Sequence, residues 1–316
     1  MRVYDEIASS VGPLGLLLAM TPPQARELAL DQGTRRHYGT VVPWYQKNMN
    51  NVPLRARVYN TLMRRTKMIL EYMGTRYSGW QKQPHAPSVQ AELESALSTL
   101  LREDIEVWGA GRTDAGVHAY GQVATFDTSA DVDLGKVRWS LNAILPDDIA
   151  VKELEEVPYE FDARRDAAWR EYHYFILNRP YPSAFFSGLT LHIARPLDVA
   201  SMDAAAKHLI GKHDFAAFCQ ISEVEGSTVR EVLEAEVKSD GNIVWAGEPL
   251  EGLVTIRVRA QAFLYNMVRI IAGTLLDVGS GKLSPDDVRS ILDSKDRTKA
   301  GRTAPPHALT LVKVAY

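Results

Sequence analysis

The sequence predicts an α+β protein built from two similar α/β subdomains whose mostly antiparallel sheets join. Two observations carry this. Short stretches of β-type and helix-type periodicity alternate in the order β-α-β-β-α-β over the first part of the ordered region, and a comparable mixture recurs afterwards. The chain of 316 residues, 46% hydrophobic and 24% charged, is also long enough for two cores.

Residues 1–67 stand apart. They contain Pro22-Pro23, Arg35-Arg36 and the polar run Asn48-Met49-Asn50-Asn51, without sustained periodicity, and read as a poorly ordered N-terminal extension. Ten Lys/Arg against four Asp/Glu give that segment a charge of +6, while the remainder carries −9. An acidic body excludes a globally basic nucleic-acid surface, so a polyanionic partner would need a locally basic cleft. The apolar block from Val11 to Met20 is broken by Pro13 and two glycines and follows Asp5 and Glu6, which suits neither a membrane span nor a signal peptide. A cytoplasmic location without membrane contact is the resulting expectation. The lone Cys219 leaves no internal disulfide and no cysteine-rich metal site.

From Met68 the elements follow in order. A strand over Met68–Tyr72 leads into a turn at Gly74–Gly79, and Ser88 opens a helix with Glu92 and Glu94 near its N-terminus. Strands are predicted at Ile105–Trp108 and Gly121–Asp127, a helix at Leu134–Leu145 and a strand at Ile149–Leu154, closing a first subdomain over 68–166. The second subdomain, 167–316, opens on the aromatic-rich strand Tyr172–Asn178 and continues with a helix at Ser201–Leu209. Val254, Ile256 and Val258 then alternate with Thr255, Arg257 and Arg259, as in a strand with one buried and one polar face. An almost wholly apolar helix over Leu264–Val278, a shorter one opened by Ser284-Pro285-Asp286-Asp287, and a strand at Leu309–Ala315 complete the chain.

The chemistry is concentrated in Gly109-Ala110-Gly111-Arg112-Thr113-Asp114-Ala115-Gly116-Val117-His118, a loop between two strand-like runs. Its glycines do not form a dinucleotide fingerprint, because Asp114 occupies the third glycine position and no strand-loop-helix unit follows. A phosphate-binding loop would need a Gly-Lys-Ser/Thr ending that is absent. Asp114-Ala115-Gly116 is like the triplet of aspartic proteases, but no second copy exists to share a proton unless a homodimer supplies it. Asp114 is therefore either a turn former or a carboxylate presented as base or nucleophile, with Arg112 two residues away. Arg269 sits inside an otherwise apolar helix and needs an anionic partner: Asp114 and Asp277 are both candidates, and reaching the surface is the remaining alternative.

Gly111 to Ala119, Gly-Arg-Thr-Asp-Ala-Gly-Val-His-Ala, resembles the signature loop of bacterial TruA-type tRNA pseudouridine synthases. Gly74 to Gln83, Ser88-Val89-Gln90, Phe161 to Arg164, Arg170 to Tyr174, Asn178-Arg179-Pro180, Gly211 to Phe218 and Phe263 to Gly273 resemble that family in the same order, so the likeness spans residues 68–316. Departures are the N-terminal extension and Ala308, where glycine is usual. The resemblance implies the pseudouridine synthase fold, with the two subdomains meeting around a central cleft, and isomerisation of uridines at positions 38–40 of the tRNA anticodon arm. It implies Asp114 as the catalytic residue, Arg112 as the residue that acts on the flipped nucleotide, Tyr172 packing on the target base and Arg269 pairing with the catalytic carboxylate. It also implies a homodimer. The reaction only rearranges atoms, so no metal and no organic cofactor are expected. His118 is assigned a turn or core role. Phosphate contacts are expected from Arg76, Lys82, Arg164, Arg165, Arg257 and Arg259. The alternative is a catalytically silent RNA-binding protein on the same fold.

Overall fold

In the computed structural model the described residues are 63–220, 226–239, 244–245 and 248–316. The expectation of disorder for 1–67 falls almost wholly outside them. The first strand, β1, runs Arg64–Tyr72, starting four residues before the sequence-based boundary. All four of those residues are polar, and Arg65 is held by Asp127 at 2.7 Å, so a hydrophobicity pattern alone does not register them.

The first half continues with helix α1 (Val89–Leu101), β2 (Val107–Gly109), β3 (His118–Thr128), α2 (Leu134–Ile144) and β4 (Ile149–Val157), matching the predicted order. Ser88 caps α1 by accepting the Ala91 N–H, and Asp133 caps α2 by accepting from Gly135 and Lys136. The second half comprises β5 (Trp169–Asn178), β6 (Leu191–Ile193), α3 (Val199–Lys207), β7 (Gly211–Asp214), β8 (Val229–Ser239), the short pair β9 (Val244–Trp245) and β10 (Glu248–Pro249), β11 (Leu253–Ala260), α4 (Met267–Gly279), α5 (Pro285–Ser294) and β12 (Leu309–Ala315). The apolar helix thus begins at Met267 and not at Leu264. Asn266 takes a left-handed conformation (φ 61°) that stops the helix from extending back into the apolar residues before it.

Ten strands form one sheet with the path β4-β1-β3-β12-β5-β11-β8-β7, with β2 also paired to β3 and β6 to β5. The last strand is the seam. β12 runs parallel to β3, with Thr310 opposite His118, and antiparallel to β5, with Leu311 opposite Tyr172. The start of β3 and the middle of β5 are therefore one strand apart, although some fifty residues separate them in sequence.

Side chains alternate across this sheet. Met68, Leu70 and Tyr72 of β1, Tyr172, Tyr174 and Ile176 of β5, and Ile256 and Val258 of β11 are buried in one continuous core with residues from all five α-helices of the described residues. In α4, ten of thirteen residues are buried, and each large side chain among them contributes about 1.5–3 kcal/mol. This packing fixes the one charged residue of the helix's first turn, Arg269, at the edge of the core.

Candidate active site

The loop between β2 and β3 is held from several directions. Trp80 donates its backbone N–H to Thr113 O (3.1 Å), and Gly116 donates to Tyr77 O (3.2 Å). The Tyr72 hydroxyl shares a 2.8 Å hydrogen bond with the Thr113 hydroxyl, and Gln122 donates its side-chain amide to Gly111 O at 2.9 Å. The approach of the Gly74–Gly79 segment is so close that it demands glycine: a Cβ on Gly79, whose φ is +99°, would stand 2.6 Å from Thr113 O. The predicted turn and the predicted catalytic loop are thus one structure.

Within it Asp114 is mostly buried, its side chain 18% exposed, and Arg269 Nη1 lies 3.4 Å from its Oδ2. Arg269 is itself oriented by two shorter bonds, from Nε to Ala304 O at 2.8 Å and from Nη1 to Asn266 Oδ1 at 2.6 Å. The alternative partner is occupied elsewhere, since Asp277 pairs with Lys282 at 2.7 Å. Burial pushes the Asp114 carboxyl above its ordinary range, and the Arg269 charge and hydrogen bond pull against that rise. The net effect is upward, because a single contact at 3.4 Å does not offset the lost hydration.

Tyr172 lies on the buried face of β5 with its ring edge-on to Phe263, centroids 5.0 Å apart. Burial raises its hydroxyl pKa strongly, the Tyr72 hydroxyl adds to the rise, and so does the charge of Asp114, which places that carboxylate within electrostatic reach. Arg112 is exposed and makes no hydrogen bond or ion pair with any described residue. The structure therefore brings Asp114, Arg269 and Tyr172 together and leaves Arg112 on the surface of the same loop.

Sequence reasoning missed two supporting groups. Arg170 is buried and donates to four carbonyls, Ala167, Gln261, Ala110 and Arg164, so that it ties the base of the Asp114 loop to the segment leading to Phe263. Its place two residues before Tyr172, on the same face of β5, was the available signal. Asn266 was readable only as a polar residue within the predicted apolar helix Leu264–Val278, and the structure makes it that helix's N-cap.

The expected phosphate contacts need correction at Arg257 and Arg259. Both guanidiniums bond Glu171 (2.9 Å and 2.7 Å), and they also reach Glu234 and Glu236 of β8. Strand register places three carboxylates around two arginines, and their charge is spent inside the protein. Burial would raise the Glu171 carboxyl, but hydrogen bonds from Arg257, Arg259 and His173 hold it at about 2. Arg76 and Lys82 are likewise paired, with Asp148 and Glu94. Among the described residues, no three of His, Cys, Asp or Glu gather to hold a metal ion, and no helix is long and apolar enough to cross a membrane.

A deep carboxylate paired with an arginine from the opposite half and flanked by a buried tyrosine defines a site for polar, proton- or nucleophile-dependent chemistry. The family model described as tRNA pseudouridine synthase matches residues 68–166 and 205–316. The chain is 45% identical over 254 residues to the tRNA pseudouridine synthase A of Brevibacillus brevis, covering 80% of this chain and 100% of that protein. It is 46% identical over 256 residues to the tRNA pseudouridine synthase A of Ruminiclostridium cellulolyticum, with the same coverage of both chains. The chain belongs to the tRNA pseudouridine synthase family, whose members are isomerases that convert uridine to pseudouridine.

Proposed function

We propose that this protein isomerises uridines at positions 38–40 of the tRNA anticodon arm, with Asp114 as the catalytic residue and without metal or organic cofactor. The observation that carries the reading is the approach of Arg269 to Asp114, 3.4 Å across the two halves of the sheet, beside Tyr172. The reaction breaks the C1'–N1 bond, turns the uracil and joins C5 to C1'. A carboxylate serves it as a nucleophile at sugar or base, or as a base toward a sugar proton. Each role needs Asp114 ionised, and Arg269 favours that form against burial.

A uridine in an A-form stem must leave the stack before Asp114 reaches it, at a cost of a few kcal/mol. Arg112, exposed and without a partner among the described residues, is free to contact the displaced nucleotide or the gap it leaves. Tyr172 offers a ring face to the target base. The protein works as a cytoplasmic homodimer on the anticodon arm, with the residues before β1 as an extension and 64–166 and 167–316 as the two subdomains. The test is to incubate the purified chain with unmodified tRNA carrying uridines at 38–40 and to map pseudouridines by chemical adduct formation and primer extension. Pseudouridine at those positions is expected, and unmodified tRNA at full conversion times would overturn the assignment.

A further inference from the structure

His118, four residues beyond Asp114, is 2% exposed and has every ring nitrogen engaged. Nδ1 lies 2.9 Å from the Gly74 backbone nitrogen. That N–H can only donate, so Nδ1 must be the bare acceptor and the ring proton must sit on Nε2. Nε2 in turn lies 2.9 Å from both Gly188 O and His307 O, two acceptors sharing one donor. One neutral tautomer satisfies all three contacts.

The partners belong to the segments that build the site. Gly74 opens the turn packed under the Asp114 loop, and a Cβ at Gly74 would overlap the Val117 carbonyl. His307 lies in the turn after Ala304 and Pro305, whose carbonyls accept from Arg269 Nε and the Tyr174 hydroxyl. Through one ring, the strand that follows Asp114 is fastened to the segment that orients Arg269. We propose that His118, in its neutral Nε2–H form, is a positioning residue that sets the approach of Arg269 to Asp114 and so the rate of the chemical step.

The charged groups around the ring are few. The 183–190 loop carries none, the 74–76 turn carries Arg76, which is occupied by Asp148, and the C-terminal turn carries His307. The Asp114 loop adds Arg112 and Asp114 itself. Burial lowers the His118 pKa from 6.5, and His307 adds slightly to that, while the two carbonyls oppose it. Protonation would place a second N–H against the Gly74 N–H, donor facing donor. A lowered folded pKa means that the neutral anchor persists below the ordinary histidine value and is lost as pH falls through the folded one, its contribution to stability being complete above 6.5.

The inference rests on the proposed function, and the tests separate the two. His118→Ala is expected to lower the single-turnover rate about 10²-fold, as a misplacement near 1 Å does, with tRNA affinity within about threefold of the parent. His118→Gln, whose amide N–H can replace the Nε2 donor without titrating, should recover much of that loss. In the parent, log rate should fall with acid along a slope above one, because Asp114 and His118 both protonate, whereas His118→Gln should show a slope of one. An unaltered rate in His118→Ala, or the same steep slope in His118→Gln, overturns the proposal. If His118→Ala does not fold, the His118→Gln profile decides. Long-range proton–nitrogen spectra of the ¹⁵N-histidine-labelled parent read the tautomer without any activity: Nε2–H is expected, and Nδ1–H would end the proposal even if the protein modifies tRNA. Failure of the parent on tRNA alongside an Nε2–H signal would instead count against the function.

Discussion

Replacing Gly273 by alanine should destabilise the protein and slow it, although the same change inside an unhindered helix stabilises by about 1 kcal/mol. Gly273 lies one turn beyond Arg269 on α4, and the backbone of residues 301–304 runs along that face. Gly301 N–H donates to the Thr274 hydroxyl at 2.9 Å, Ala304 N–H donates to Arg269 O at 3.1 Å, and Ala304 O receives Arg269 Nε at 2.8 Å. A Cβ on Gly273 would overlap the Arg302 carbonyl oxygen and stand 2.9 Å from its carbon, where ordinary contact begins at 3.4 Å. The obstacle is backbone and cannot swing aside, so the loop must withdraw by on the order of 1–2 Å. Overpacking of this kind costs about 1–3 kcal/mol, and each hydrogen bond lost adds about 1 kcal/mol. With two of those bonds lost and about 1 kcal/mol gained in helix propensity the net loss is about 2–4 kcal/mol, which lowers the melting temperature by on the order of 5–10 °C. Because Ala304 O holds Arg269, the single-turnover rate should fall by about 10²-fold. Thermal unfolding followed by circular dichroism, with pseudouridine formation measured below the transition, checks both. A variant that melts at or above the parent temperature with parental activity would refute the argument from close packing.

Arg269→Met removes the charge that opposes burial at Asp114, so the carboxyl should protonate at higher pH. Activity requires the ionised form and is lost below the pKa, hence the acid limb of the rate profile should move upward, and an unmoved limb would detach Arg269 from Asp114. The double variant Arg257→Ala/Arg259→Ala should leave the salt dependence of tRNA binding as it is, since both charges already answer Glu171, Glu234 and Glu236. It should instead cost stability, about 3–5 kcal/mol, by leaving the buried Glu171 without either arginine and with His173 alone as its partner. In the parent the Glu171 carboxyl is held at about 2, so its contribution is complete above 4.5 and lost as pH falls through that lower value. Urea unfolding should therefore show a deficit at neutral pH that shrinks toward pH 2, and a reduced salt slope with unchanged stability would restore the phosphate-contact reading.

The element order of the first half was legible because its strands and helices have distinct periods and Ser88 stands where one period gives way to the other. Boundaries failed where local pattern and backbone disagreed. Leu264 reads as helix by composition, yet the left-handed Asn266 prevents it. Strands β7 and β8 escaped prediction, since β8 mixes buried Val232, Ala235 and Val237 with glutamates, of which Glu234 and Glu236 pair with arginines on β11. The site was legible as a list of residue types and not as a set of contacts. Arg269 demanded an anion, but 155 residues separate it from Asp114, and only the fold shows that Asp277 is taken by Lys282. The arginines of β11 looked like phosphate ligands because their neutralising carboxylates come from two other strands. His118 read as a filler for the same reason, its carbonyl partners lying 70 and 189 residues away.

Changing the Asp114 carboxylate to an amide of nearly the same shape isolates the charge from the fold. With Asp114→Asn, tRNA should bind within a few-fold of the parent affinity while no pseudouridine accumulates at positions 38–40 under single-turnover conditions. Pseudouridine formed at the parental rate would show that this carboxylate does not carry the reaction.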